Sequence, residues 1–143
     1  MTLSTHQIDL IQSSFTSAIV ASDEVAATFY ARLFELDPSL RHLFKGDMYA
    51  QGIKLMQLLG VLVAGLYELE SHLVPAIEGL GQRHVHYGVK PEDYGTVGQA
   101  LLWALDETLG SEFTPEVRDA WTEVYGIVVQ VITERVYGAQ KPI

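Results

Sequence analysis

The chain has 143 residues, 48% of them hydrophobic, and a mean hydropathy of +0.16, which suits one domain with a large core. It lacks cysteine, which excludes disulfides, thiolate metal sites and thiol nucleophiles. Eighteen acidic against nine basic residues give a net charge of -9, which repels phosphate backbones and anionic headgroups and so excludes nucleic acid as an expected partner.

The opening MTLSTHQIDL has neither the basic start nor the apolar stretch of a secretory leader, and the expected location is the cytoplasm. Ser4 followed by Gln7 fits a capping box and predicts a helix over 5–21. Ser22-Asp23-Glu24 offers a cap and acidic first-turn charges to a second helix over 23–36. Pro38 marks the start of a third over 38–44, since proline fits a first helical position. A fourth runs over 49–70 and a fifth over 74–87. Pro91 and Pro115 start the last two, over 92–109 and 115–137; in the last, Val117, Trp121, Val124, Val128 and Val131 recur at helical spacing. No segment alternates with period two, so the expected class is all-α, one domain over 1–143.

The helix over 49–70 stands apart. Between Leu55 and Tyr67 its only strongly polar side chain is Gln57, which predicts burial on most sides. Its apolar run LLGVLVAGLY is about half of what a membrane span requires, so no membrane is expected. Gly60 and Gly65 each cost a helix roughly 1 kcal/mol, which another backbone passing closely would explain. An all-helical chain with such a helix is either a plain bundle or a wrapper around an apolar guest. Gln51, Leu55 and Leu59 are four apart and share one face. Tyr30, amid Phe29, Leu33 and Phe34, is read either as a core tyrosine or as a donor, and Gln51 either as a surface amide or as its companion.

His84 and His86 are two apart on a helix and point about 200° away from each other, so they cannot chelate one metal. His6, His42 and His72 lack acidic or histidine partners at ligand spacing and are expected in solvent. There is no phosphate loop, nucleophile elbow or HExxH motif. A single neutral imidazole still suffices as an axial ligand where a macrocycle fills the plane around iron.

Four stretches in order, FYARLFELDPSLRHLF at 29–44, QGIKLMQLLGVL at 51–62, RHVHYGVKPEDYGTVGQALL at 83–102 and AWTEVYGIVVQV at 120–131, resemble the globin part of flavohaemoglobins and the related single-domain bacterial haemoglobins across nearly the whole length. The resemblance implies a globin fold around a buried haem b, with helices crossing at about 50°. It implies His84 as the iron ligand, Tyr94 beside its imidazole, Tyr30 and Gln51 as the distal pair, and Phe44 on the haem face. Leu55, Leu59, Val89, Val97 and Leu101 would be dry contacts, although Val97 and Leu101 are equally read as ordinary core. Arg83 is a propionate partner or a surface residue, and His86 is a bystander.

That reading carries an expected function. A phenol and an amide donating to the partly negative outer atom of bound oxygen would contribute roughly 1.5 to 3 kcal/mol each, so oxygen would be gripped tightly. Tight grip suits conversion of nitric oxide to nitrate better than delivery; oxygen storage, supply or sensing is the alternative. Oxygen, nitric oxide and other diatomic gases are thus the implied ligands. Two departures from the family pattern stand out. The flavin and nicotinamide domains of flavohaemoglobins are missing from these residues, so turnover would need an external reductase, and Val136 occupies the place of the family's proximal glutamate, with Glu134 two residues early.

Overall fold

The computed structural model describes residues 3–68 and 72–138, and every regular element among them is helical. The elements are α1 (Thr5–Val20), α2 (Ser22–Leu36), a 3-10 turn (Pro38–Leu43), α3 (Met48–Ala64), α4 (Val74–Tyr87), α5 (Asp93–Leu109) and α6 (Pro115–Ile132), which ends in a wide π turn (Thr133–Tyr137).

Most starts follow the capping signals. The Ser4 hydroxyl accepts from the Gln7 N–H while the Gln7 side chain reaches back to the Ser4 N–H, closing the expected box. Thr114 caps α6 through Val117 N, and Asp37 caps the 3-10 turn through Ser39 N. Two starts differ. Ala21, not Ser22, occupies the cap position of α2, with no side-chain bond. Pro91 lies in a turn before α5, which is held instead by the buried Asp93 carboxylate accepting from the Lys90 N–H at 2.9 Å.

The helix expected over 49–70 ends at Ala64, followed by a short 3-10 turn (Leu66–Glu68), and its last two expected residues lie outside the described set. Nor is it buried on most sides. Gly52, Leu59 and Val63 face the core, Gln51, Leu55, Leu58 and Leu62 form a half-buried second face, and Ile53, Gln57, Val61 and Ala64 form an open third, with Val61 60% exposed. Three separate apolar faces give an all-round apolar helix without all-round burial. The close approach expected at Gly60 occurs one helical stretch earlier: a methyl on Gly52 would stand 2.9 Å from the Ala26 Cβ, whereas one on Gly60 would meet only the Phe15 ring at 3.7 Å. At Gly65 the near neighbour is the Leu73 side chain, 3.0 Å away, rather than backbone.

The core joins α1, α2, α5 and α6, with Ile11, Val25, Leu33, Leu105, Val131 and Ile132 among its fully buried side chains. Its most extensive packing is α2 on α5, while α3 lies on α2 and α1 and makes little direct contact with α4 or α5. That gap positions the site. Within the core, Trp121 Nε1 donates to the buried Ser14 hydroxyl at 2.8 Å, which in turn donates to the Leu10 carbonyl at 2.7 Å. Trp121→Phe removes one buried bond and part of a ring, and should cost about 1 to 3 kcal/mol. The melting temperature should fall by several degrees; an unchanged value in a thermal melt would contradict this role.

Candidate functional site

The last turn of α4 fixes His84. Gly88 takes the left-handed conformation (φ 98°) that ends helices, and its N–H bonds back to the His84 and Val85 carbonyls. The Val89 N–H adds a second bond to the His84 carbonyl at 2.9 Å. On the ring, Nδ1 lies 2.8 Å from the Leu80 carbonyl. A carbonyl can only accept, so Nδ1 carries the proton and Nε2 keeps its lone pair. Burial lowers the imidazole pKa below its ordinary value; the Leu80 bond opposes this shift and the nearby Arg83 charge reinforces it. A neutral imidazole with one nitrogen anchored and the other free is the chemistry of an axial metal ligand.

Beside it, the Tyr94 ring lies 6.3 Å from the His84 ring, and its buried hydroxyl has, among the described residues, no partner but the neighbouring Tyr137 hydroxyl. Burial, the first of several causes, raises its pKa well above the ordinary phenol value, so it stays protonated. The Tyr94 carbonyl accepts from the Tyr125 hydroxyl at 2.6 Å, which ties α5 to α6. Glu134 does not stand in for a proximal carboxylate: it is exposed and accepts from Gln130 on its own helical turn. Val136 is 2% exposed and packs on Gly81. The next residue, Tyr137, is the one that reaches the site; its ring meets Tyr94 edge-on at 6.3 Å and its hydroxyl donates to the Val89 carbonyl. Because the Tyr94 hydroxyl has at most the Tyr137 hydroxyl as a partner, Tyr94→Phe should change stability by no more than about 1 kcal/mol. A larger loss in a thermal melt would reveal a stronger partner for this hydroxyl.

Across the gap, Tyr30 projects from α2 among Phe29, Phe34 and Phe44, with ring centroids 4.9, 6.2 and 5.3 Å away. Its hydroxyl donates to the Gln51 carbonyl at 3.3 Å, near the first turn of α3, which Asp47 caps. Burial pushes its pKa up to about 12, so it remains a donor at any physiological pH. Gln51, Leu55, Val89 and Val97 are half-buried, whereas Leu59 and Leu101 are buried. These last two meet Leu62, Tyr125 and Val128 around an internal cavity of about 30 Å³. Arg83 is exposed and its guanidinium folds back along α4 over Gly79.

The α3 face of Gln51, Leu55, Leu58 and Leu62, together with Phe44, Val85, Val89 and Val97, thus leaves apolar side chains half-covered around a gap that α3 does not close against α4 or α5. Half-covered apolar walls with one free imidazole nitrogen fit a flat apolar cofactor carrying a metal, and the residues present therefore suit haem. Sequence reasoning missed Leu58, Leu62, Val85 and Tyr137. The two leucines were accessible to it, being three and seven residues past Leu55, whereas Tyr137 reaches Val89 only through the π turn.

Elsewhere, a larger groove of about 680 Å³ lies on the outer side, between α2 and α3, and shares Tyr30 with the gap. The remaining histidines are exposed. His6 pairs with Glu116, and His42 Nδ1 meets the Ser39 carbonyl. His72, expected to lack an acidic partner, pairs with Glu68 at 3.2 Å, four residues before it. Among the described residues no group of three histidine or carboxylate side chains could hold a metal ion, and none of the helices is long and apolar enough to cross a membrane.

Comparison with known proteins agrees with the all-α fold. A family model described as Globin matches residues 27–132. A flavohemoprotein of Xylella fastidiosa is 34% identical over 134 residues, covering 92% of this chain and 34% of the relative. One of Rhodopirellula baltica is 32% identical over 128 residues, covering 87% and 31%. The chain therefore spans about a third of the length of these curated relatives. Among solved structures, an engineered carbene transferase from a candidate nitric oxide dioxygenase of Rhodothermus marinus superposes with a TM-score of 0.84, 28% identity and 96% coverage of both chains.

Proposed function

This chain belongs to the globin family and is a haem globin, and from that premise we propose that it binds haem b through His84, holds oxygen tightly, and serves the conversion of nitric oxide to nitrate with an electron from a separate reductase. Haem, when bound, would supply an iron that takes a protein ligand and a diatomic gas, and a one-electron redox couple. His84 Nε2 would hold the iron, and its Nδ1 bond to Leu80 fixes the ring and raises its basicity. Phe44, Leu55, Val89 and Val97 would pack on the ring and exclude water, while Leu59 and Leu101 back them from the core; Arg83 would serve a propionate, and Tyr94 would brace the imidazole.

On the opposite side Tyr30 and Gln51 act on the gas. The Tyr30 hydroxyl already lies within reach of one acceptor, the Gln51 carbonyl, and a partly negative oxygen atom competes for the same proton. The Gln51 amide makes no hydrogen bond to another described side chain and is free to add a second. Both donors hold oxygen where nitric oxide, an apolar gas, reaches it through a dry wall. The net change is NO + O2 + one electron to nitrate. No Gly-rich dinucleotide fingerprint occurs in these 143 residues, so the electron comes from outside them, in a reducing cytoplasm that a cysteine-free chain tolerates. The chain acts as one globin domain over 1–143.

The observation that carries this reading is the Tyr30 hydroxyl fixed at the start of α3, beside Gln51. Stopped-flow mixing of the oxygenated protein with nitric oxide tests it. Prompt stoichiometric nitrate, followed by recovery when a flavin reductase and a reduced nicotinamide dinucleotide are supplied, is expected. Oxygenated protein that forms no nitrate would instead leave oxygen storage, supply or sensing as the function.

A further inference from the structure

The charge of this chain is distributed unevenly around the gap. Residues 38–67 and 79–91 hold five of its nine lysines and arginines, Arg41, Lys45, Lys54, Arg83 and Lys90, but only one of its eighteen carboxylates, Asp47. A stretch of net charge +4 therefore sits in a chain of net charge -9.

The fold brings these two segments together. Leu43 lies 3.7 Å from where a Gly88 side chain would begin, so the 3-10 turn and its following loop meet the corner between α4 and α5. Arg41 and Lys45 flank one side of that junction, and Arg83 and Lys90 flank the other. Lys54 stands three residues past Gln51, close to the same face of α3. All five are exposed.

Their partners differ from those of the other cations. Arg32 pairs with Glu35 at 3.7 Å, Arg118 with Asp106 at 3.9 Å and Arg135 with Glu78 at 2.9 Å. None of these five, four about the junction and Lys54 on α3, has a carboxylate within 4.0 Å among the described residues; Arg41 only covers the Phe34 ring, at 5.1 Å. Two propionates of a haem would occupy two of them at most. Cations left without carboxylates at the mouth of a site, on a protein otherwise strongly acidic, have the form of a steering surface.

We propose that this collar docks an acidic electron-donor protein, carrying reduced flavin at its own negative rim, against the open edge of the gap. The inference rests on the functional reading above. One electron passes from the flavin hydroquinone, which becomes the semiquinone, to the ferric iron, which becomes ferrous. The net charge of -9 over the whole chain opposes a close approach of such a donor away from the collar.

The test uses haem-loaded ferric protein and a flavodoxin hydroquinone as the probe. Reduction is followed anaerobically under carbon monoxide, and complex formation by the fluorescence anisotropy of labelled flavodoxin. For the parent, raising the ionic strength from about 20 to about 300 mM should slow reduction at least about tenfold. Lys45→Glu/Lys54→Glu/Lys90→Glu should weaken the complex and slow reduction by at least about tenfold at low salt, while Arg118→Glu should match the parent. Parent rates that ignore salt, or equal rates in the triple variant, would overturn the collar. So would stronger binding to vesicles containing phosphatidylserine than to flavodoxin. Dithionite-reduced samples of the same variants are then mixed with oxygen and nitric oxide; intact nitrate formation with no salt effect removes the docking proposal alone, whereas lost nitrate formation in the parent removes the functional reading.

Discussion

Replacing Tyr30 by phenylalanine should accelerate oxygen release from the reduced, haem-loaded protein by roughly ten- to a hundredfold. The hydroxyl would donate a charge-assisted bond worth roughly 1.5 to 3 kcal/mol, and each 1.4 kcal/mol is a factor of ten. The ring itself remains, so its packing on Phe29, Phe34 and Phe44 is preserved. Gln51→Leu should act in the same direction. The two effects should not simply multiply, because the Tyr30 hydroxyl also bonds the Gln51 main chain. Ligand-displacement kinetics with carbon monoxide read the two single variants and their double; release rates equal to the parent in both single variants would show that neither donor reaches the gas. The buried phenol also predicts a pH profile. With its pKa pushed up to about 12 against an ordinary 10, the folded state keeps the proton that the unfolded chain loses. Its contribution to stability is fully present below pH 10 and is lost as pH rises from 10 towards 12. Tyr30→Phe should therefore flatten the alkaline limb of a stability curve, and release rates in the parent should be level up to about pH 10.

His84→Gly should reduce haem retention by at least about a hundredfold, the largest effect of any single change considered. Glycine leaves a cavity the size of the lost ring and costs the last turn of α4 roughly 1 kcal/mol of helix stability. Free imidazole can enter that cavity, and millimolar amounts should restore the ferric and reduced absorption bands. His86→Ala, two residues away and exposed, should retain haem like the parent. The acid limb follows from burial. Because the His84 pKa lies below the ordinary imidazole value, the unfolded chain takes up a proton before the folded one does. Stability is intact above about pH 6.5 and falls as pH drops below it. For the haem-free protein, a denaturant titration whose stability stays flat from pH 7 to pH 5 would contradict this burial.

How much of this was legible in the sequence depends on which physics wrote each feature. Helix starts were readable where a side chain or a proline signals them locally, as at Ser4, Asp37 and Thr114. They failed where the cap lies inside the helix, as with Asp93, or where backbone alone suffices, as at Ala21. The long apolar helix misled because hydrophobicity does not tell a core face from a cofactor face or an open groove. Leu59, Leu55 and Ile53 look alike in sequence and stand on three different faces. Tyr30 stands out as a polar side chain among Phe29, Leu33 and Phe34, whereas the resemblance alone separates His84 from His86. Tyr137 was invisible because a π turn shifts its direction from that of an ordinary helix. The Tyr30 bond to the Gln51 main chain was equally hidden, since no pattern of side chains records a carbonyl.

The central claim is that the Nε2 of His84 holds the iron. Resonance Raman spectra of the reduced, gas-free protein grown with 15N-histidine address it directly through the low-frequency iron–histidine stretching band. An isotope-sensitive band in the parent and in His86→Ala, absent from His84→Gly, is the predicted result. The same band surviving in His84→Gly, or disappearing with His86→Ala, would contradict it.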